Sequence, residues 1–180
     1  MNANSQLNRP GSNLYLVGLM GTGKSTVGKL LAKKLKMEFF DSDEEIEKAS
    51  SMSIAEMFSK HGEQYFRKME MDFVNRGHPL EDCLVSCGGG LCIPPGMMES
   101  LKEKGKVICL WARIETLLER TKSDESRPLL QTASPLNALK KLLEEREKRY
   151  KESDWVIETD NLTPEQVTEL IFTNLRNDLV

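Results

Sequence analysis

Two hydrophobic rhythms alternate along this chain. Leu14 to Val17 is an unbroken apolar run ending at Gly18, the pattern of a strand buried on both faces. From Lys24 the spacing changes: Val27, Leu30, Leu31 and Leu35 recur at helical intervals. Glu38 to Phe40 reads as a second short strand, running into Asp41-Ser42-Asp43. Ser53 followed by Glu56 is a capping box, so a helix begins there. Phe66, Met69 and Phe73 mark the apolar face of another helix, about Gly62 to Arg76. Cys83 to Cys87 is a third strand leading into Gly88-Gly89-Gly90, Pro94-Pro95-Gly96 opens a short helix, and Lys106 to Trp111 is a fourth strand. Ile114 to Arg120 is helical, whereas Thr121 to Pro135 has little apolar periodicity and reads as a mobile loop. Ser134 caps, and Pro135 starts, a helix carrying Leu136, Leu139, Leu143 and Tyr150 on one side. Trp155 to Thr159 is the last strand, and Thr163-Pro164-Glu165-Gln166 opens the last helix by the same capping logic.

Five strands alternating with helices predict an α/β fold: a five-stranded parallel sheet in three layers, with helices on both faces. With 180 residues, no Gly/Ser- or Pro-rich linker and no internal repeat, the expected organisation is a flexible leader at 1–12 followed by a single domain at 13–180. A chain of this length buries roughly two-thirds of its unfolded surface, so the fold requires no disulfide or structural metal. The formal net charge of −3 argues against a nucleic-acid or membrane-surface binder, which needs a concentrated basic face. Residues 1–12 lack the apolar stretch of a secretory signal, and runs such as Val107 to Ala112 are too short to span a bilayer, so a cytoplasmic protein is expected. Cys83, Cys87, Cys92 and Cys109 match no common zinc spacing and read as reduced core thiols.

The strongest chemical signal is Gly18-Leu19-Met20-Gly21-Thr22-Gly23-Lys24-Ser25, a full G-x-x-x-x-G-K-[ST] phosphate loop between a strand and a helix. Phosphate oxygens must approach backbone N–H groups closely, which glycine permits, at the positive end of the following helix. Lys24 supplies a point charge to the β- and γ-phosphates, and the Ser25 hydroxyl is a ligand for Mg²⁺. A dinucleotide-binding turn is disfavoured, since G-x-G-x-x-G would need glycine at Thr26.

A phosphate loop does not say what receives the phosphate. Asp41 and Asp43 follow strand two at the carboxyl end of the sheet, where open α/β folds bind ligands, and two carboxylates one residue apart on an extended segment share a side. One sits near Mg²⁺ while the other orients a hydroxyl; alternatively Asp43 only caps a helix starting at Glu44. Arg67 and Glu70 are neighbours on a helix, either a solvated pair or a carboxylate holding a guanidinium fork for a ligand carboxylate. Gly88-Gly89-Gly90 lets a ligand approach the backbone closely; the alternative is an ordinary exit from the strand, but three glycines are more than such an exit needs. Arg127, within Arg127-Pro128-Leu129-Leu130 of the loop, could close over a transferring phosphoryl group, although any surface loop can carry an arginine.

Taken together these segments resemble the shikimate kinase family. The resemblance runs through the phosphate loop with its Ser25-Thr26-Val27-Gly28 continuation, Asp41-Ser42-Asp43, Gly62 to Glu70, Val85 to Gly90, Arg127 to Leu130, and Arg146 four residues before Tyr150. It implies transfer of the γ-phosphate of ATP to the 3-hydroxyl of shikimate, on the route to chorismate and the aromatic amino acids. It also implies that Gly21, Thr22, Gly23, Lys24, Ser25 and Thr26 hold the ATP phosphates, with Arg120 and Pro164 at the adenine. Arg67, Arg146 and the backbone of Gly88, Gly89 and Gly90 would hold shikimate, with Glu70 behind Arg67 and Asp43 on the reacting hydroxyl. Lys24 and Arg127 would stabilise the transferring phosphoryl group, and Ser25 and Asp41 would hold Mg²⁺. The family pattern implies a substrate-binding segment at about 41–70, a lid at about 121–135, and a monomer with no nucleic-acid or membrane partner. Departures are few: Trp111 stands where relatives often carry an acid, and Cys87 at a variable place.

Rivals from other classes are weaker. Thr121-Lys122-Ser123-Asp124 imitates the guanine-reading motif of a GTPase, but it follows a helical segment, and no aspartate has glycine three positions later. A gluconate or nucleoside-monophosphate kinase shares the architecture, but Arg67, the triple glycine and Arg146 disfavour it. Lys24, Asp43 and Arg127 together argue against a catalytically silent ATP-binding module.

Overall fold

A computed structural model describes residues 13–122 and 134–178. The leader expected at 1–12 and most of the lid expected at 121–135, Arg127 included, lie outside the described residues. The order of elements is β1 (Asn13–Val17), α1 (Lys24–Leu35), β2 (Glu38–Asp41), α2 (Ser42–Ser50), α3 (Ile54–His61), α4 (Glu63–Arg76), β3 (Cys83–Ser86) and α5 (Met97–Lys104), then β4 (Gly105–Trp111), α6 (Ile114–Thr121), α7 (Pro135–Tyr150), β5 (Trp155–Glu158) and α8 (Pro164–Asn177). All pairings are parallel, and the strands run β2-β3-β1-β4-β5 across the sheet. The expected five-stranded parallel sheet is therefore present.

The alternation of side chains along each strand separates two cores. Leu14, Leu16, Leu84, Ile108 and Leu110 face one way, where they meet Val27 and Leu31 of α1 and Val167 and Ile171 of α8. Tyr15, Val17, Val85, Val107 and Cys109 face the other way, onto residues of α2 to α7 such as Ile46, Met57, Phe66, Met98 and Leu139. All four cysteines are buried and unpaired, and burial pushes the thiols of Cys83, Cys92 and Cys109 up to about 12. They act as small core hydrophobes.

The connection after β1 packs on one face and the helix after β3 on the other, although β1 and β3 are neighbours. That reversal opens a crevice beyond their carboxyl ends, the place where an open α/β sheet takes its ligands. Both glycine-bearing loops leave the sheet there.

Capping sets the helix starts. The boxes Ser53/Glu56 and Thr163/Gln166 are both formed. Two expectations change. Ser134 stands at the N-cap of α7 without a side-chain cap bond, so Pro135 alone marks that start. At α2 the cap is Asp41, not Asp43: extended at φ −105°, it accepts the Asp43 N–H, and the helix begins two residues earlier than Glu44. β2 hands directly to α2, so Asp41 and Asp43 do not share one side of an extended segment.

Helix α1 lies close on the sheet at Gly28, where a Cβ would come within 2.7 Å of Phe39 and 3.2 Å of Leu84. Gly28→Val should destabilise the fold by about 1–3 kcal/mol through overpacking. The measurement is a lower urea midpoint with an unchanged slope.

Candidate active site

The phosphate loop owes its shape to its neighbours. Gly18 has φ +134°, and a Cβ there would meet the Leu110 carbonyl oxygen at 2.3 Å, so no larger residue fits. Thr22 is buried and its hydroxyl donates to the Leu19 carbonyl at 2.8 Å. Gly23, left-handed at φ +94°, caps α1 without a side chain, leaving the first-turn N–H groups of that helix turned toward the loop. Lys24 Nζ donates to the Gly18 and Leu19 carbonyls at 2.9 and 3.0 Å, so its charge lies along the concave side. Ser25 and Thr26 follow in the exposed first turn of α1.

Beside the loop, Ser25 Oγ donates to Asp41 Oδ2 at 2.8 Å and lies 3.2 Å from Ser86 Oγ. The other Asp41 oxygen accepts the Asp43 N–H at 3.2 Å. One carboxylate thus joins α1 to the start of α2. A hydroxyl and a single carboxylate at hydrogen-bond distance form a sparse set of hard oxygen donors, the kind that suits Mg²⁺ sharing its remaining positions with water and phosphate. Among the described residues no group of three His, Cys, Asp or Glu side chains is arranged to hold a metal.

Each of the three glycines after β3 lies under a different side chain. A Cβ on Gly88 would meet the Asp43 carboxylate at 2.3 Å; one on Gly90 would meet the Arg67 guanidinium at 2.7 Å. At Gly89, Arg146 Nη1 and the Tyr150 hydroxyl both donate to the carbonyl, at 3.2 and 2.5 Å. Burial raises the Tyr150 phenol, which stays protonated as a donor. A plain strand exit would need none of these approaches.

Arg67 is held by two carboxylates of its own helix. Glu63 Oε1 accepts from Nε and Nη2 at 3.1 and 2.8 Å, and Glu70 Oε2 accepts from Nη1 at 2.7 Å. Glu70 is 1% exposed, and its Oε1 has no hydrogen-bond partner among the described residues. Burial pushes its carboxyl from the ordinary 4.5 up to about 7, against the pull of Arg67.

At the other end of the crevice Arg120 forks onto β5: Nη1 donates to Thr159 Oγ1 at 3.0 Å and Nη2 to the Thr159 carbonyl at 2.6 Å. Pro164, first residue of α8, stands nearby with Leu162. A single cavity of about 1060 Å³ runs from Arg120 and Pro164 past the phosphate loop to Asp43, Arg67 and Arg146, and ends against Ile54 and Phe58 of α3.

The sequence matches the family model for shikimate kinase over residues 20–176. The chain belongs to the shikimate kinase family. A shikimate kinase of Thermodesulfovibrio yellowstonii is 44% identical over 159 residues, covering 88% of this chain and 92% of that protein. Among solved structures, shikimate kinase from Acinetobacter baumannii in complex with shikimate is similar with a TM-score of 0.87 and 36% identity, covering 93% of this chain and 94% of the other. A gluconokinase from Sinorhizobium meliloti, at 15% identity and a TM-score of 0.60 over 94% of each chain, shares the fold.

In this shikimate kinase family member the structure brings together every expected site residue within the described range; Arg127 lies outside it. Thr121 ends a helix, α6, so the apparent guanine motif lacks a strand before it; Ser123 and Asp124 lie outside the described residues. Sequence reasoning missed Ser42, Glu63 and Thr159, and the wall formed by Ile54 and Phe58. Only Glu63 left a readable sign, four residues before Arg67.

Glu70 makes stability depend on pH. Its folded pKa of about 7 exceeds the ordinary 4.5, so between those values the folded state binds more protons than the unfolded chain. Its contribution is therefore full below about 4.5 and is lost as pH rises through about 7. Relative to Glu70→Gln, the protein should lose unfolding free energy across that window and change little above it, as read by urea titrations at several pH values.

Proposed function

We propose that this chain transfers the γ-phosphate of ATP to the 3-hydroxyl of shikimate, giving 3-phosphoshikimate and ADP in the biosynthesis of chorismate and the aromatic amino acids. The observation that carries this reading is the seating of Asp43, Arg146 and Arg67 at three consecutive glycines in one cavity with a phosphate loop. A carboxylate beside two guanidinium groups suits an acceptor that presents a hydroxyl and a carboxylate of its own.

The proposed division of roles follows from that chemistry. Arg67, braced by Glu63 and Glu70, offers one N–H on each terminal nitrogen beyond those bonded among the described residues, a two-point grip for a ligand carboxylate. Arg146 and the backbone of Gly88 to Gly90 complete the acceptor site. Asp43 takes the proton of the 3-hydroxyl as that oxygen bonds to the γ-phosphorus, and the bond from phosphorus to the β–γ bridging oxygen breaks, releasing ADP. Lys24 and the N–H groups from Gly21 to Thr26 carry the growing negative charge. Arg127 is assigned to the same phosphoryl group, and Arg120 and the backbone near Pro164 to the adenine. Ser25 and Asp41 would hold Mg²⁺, which when bound neutralises phosphate charge. The enzyme is further proposed to work as a monomer in the cytoplasm, without a nucleic-acid or membrane partner.

The test is ADP release with Mg²⁺-ATP, comparing shikimate, gluconate, AMP and no acceptor. Release stimulated by shikimate alone is expected; stimulation by another acceptor and none by shikimate would discard the substrate. Arg67→Ala should raise KM for shikimate by about tenfold or more, since a charged hydrogen bond is worth about 1.5–3 kcal/mol, with little change in KM for ATP. Equal effects on both constants would contradict the grip on the carboxylate.

A further inference from the structure

We propose that Ser42 is a positioning residue for phosphoryl transfer: its hydroxyl, bonded to the Gly88 N–H, fixes the Asp43 carboxylate over the glycine loop. This rests on the role given to Asp43 above. Ser42 is the first residue of α2 and is wholly buried. The helix does not need its hydroxyl, because Asp41 already caps α2. That hydroxyl instead accepts the Gly88 N–H at 2.8 Å, across 46 residues of chain.

The position of this bond matters. The ladder between β2 and β3 ends at the pair Asp41 and Ser86. The next amide, Cys87, turns away to the Leu16 carbonyl on β1 at 2.9 Å. Gly88 follows, and its N–H returns to Ser42. The bond is thus a tie between the segments that continue β2 and β3 past the end of their ladder, immediately beside the point where Asp43 lies over Gly88. Without the hydroxyl the Gly88 amide loses its acceptor, and the spacing between carboxylate and loop is no longer set.

The experiment compares Ser42→Ala and Ser42→Thr with the unmodified enzyme, using Asp43→Ala as a reference and normalising each rate to folded protein. Displacing a reacting group by about 1 Å costs up to about 10²-fold. Ser42→Ala should therefore lower kcat at least about tenfold. KM for ATP should stay within about twofold, because the phosphate loop keeps its own contacts. Ser42→Thr, which keeps the hydroxyl, should recover most of kcat.

A merely structural serine would lower the denaturation midpoint and leave kcat per folded molecule unchanged; that result overturns the proposal, as does a Ser42→Thr enzyme as slow as Ser42→Ala. If Ser42→Ala does not fold, Ser42→Cys, which keeps the volume with a weak acceptor, is read by the same criteria. A nearly full rate in Asp43→Ala removes the role of Asp43 itself, whereas an inactive Asp43→Ala beside a full-rate Ser42→Ala removes only the role of Ser42.

Discussion

The absence of a Cβ at Gly88 and Gly90, on either side of Gly89, is the constraint on which this site depends. Asp43 comes from α2, Arg67 from α4 and Arg146 from α7, and all three reach the short stretch from Gly88 to Gly90. A side chain at either outer position would occupy the space of the charged group above it. Convergence of three helices is possible because they pack on the same face of the sheet, while α1 and α8 cover the other. The phosphate loop obeys a related constraint at Gly18, wedged against the Leu110 carbonyl. The phosphate loop and the glycine loop after β3 therefore leave adjacent strands and line one crevice.

Charge in the crevice is graded by burial. Glu63 and Glu70 both hold Arg67, yet Glu63 is largely exposed and Glu70 is sealed from solvent. Water screens the first contact, so it adds little by itself. The second acts in a low-dielectric setting, where leaving either partner alone is costly. Orientation of the guanidinium thus rests mainly on Glu70, and the raised pKa of that carboxyl reflects the energetic cost of its burial.

Much of the fold was legible because its signals are local. Short apolar runs and the switch to helical spacing yielded all five described strands, each to within a residue at either end. The phosphate loop was legible for the same reason, since its chemistry occupies eight contiguous positions. The start of α2 was misread because Asp41 and Asp43 are equally good caps by residue type; strand pairing as far as Asp41 decides between them. Contacts that lock the site were out of reach. Ser42 to Gly88, Arg120 to Thr159 and Tyr150 to Gly89 span 46, 39 and 61 residues, and no local pattern announces them. Arg67 was visible with one of its two carboxylate partners: residues three and four apart are both helix neighbours, so spacing alone does not show that Glu63 joins Glu70 on one guanidinium.

The three glycines also form a legible record for other chains of this fold. Position 88 is kept small by an acid, position 90 by a guanidinium, and position 89 serves through its carbonyl. The selective pressures on them are consequently separable. A lineage that lost the arginine while keeping the acid would be released to fill position 90 and still be barred from filling 88. Which glycine erodes first in a divergent sequence therefore reports which of the two charged contacts was given up.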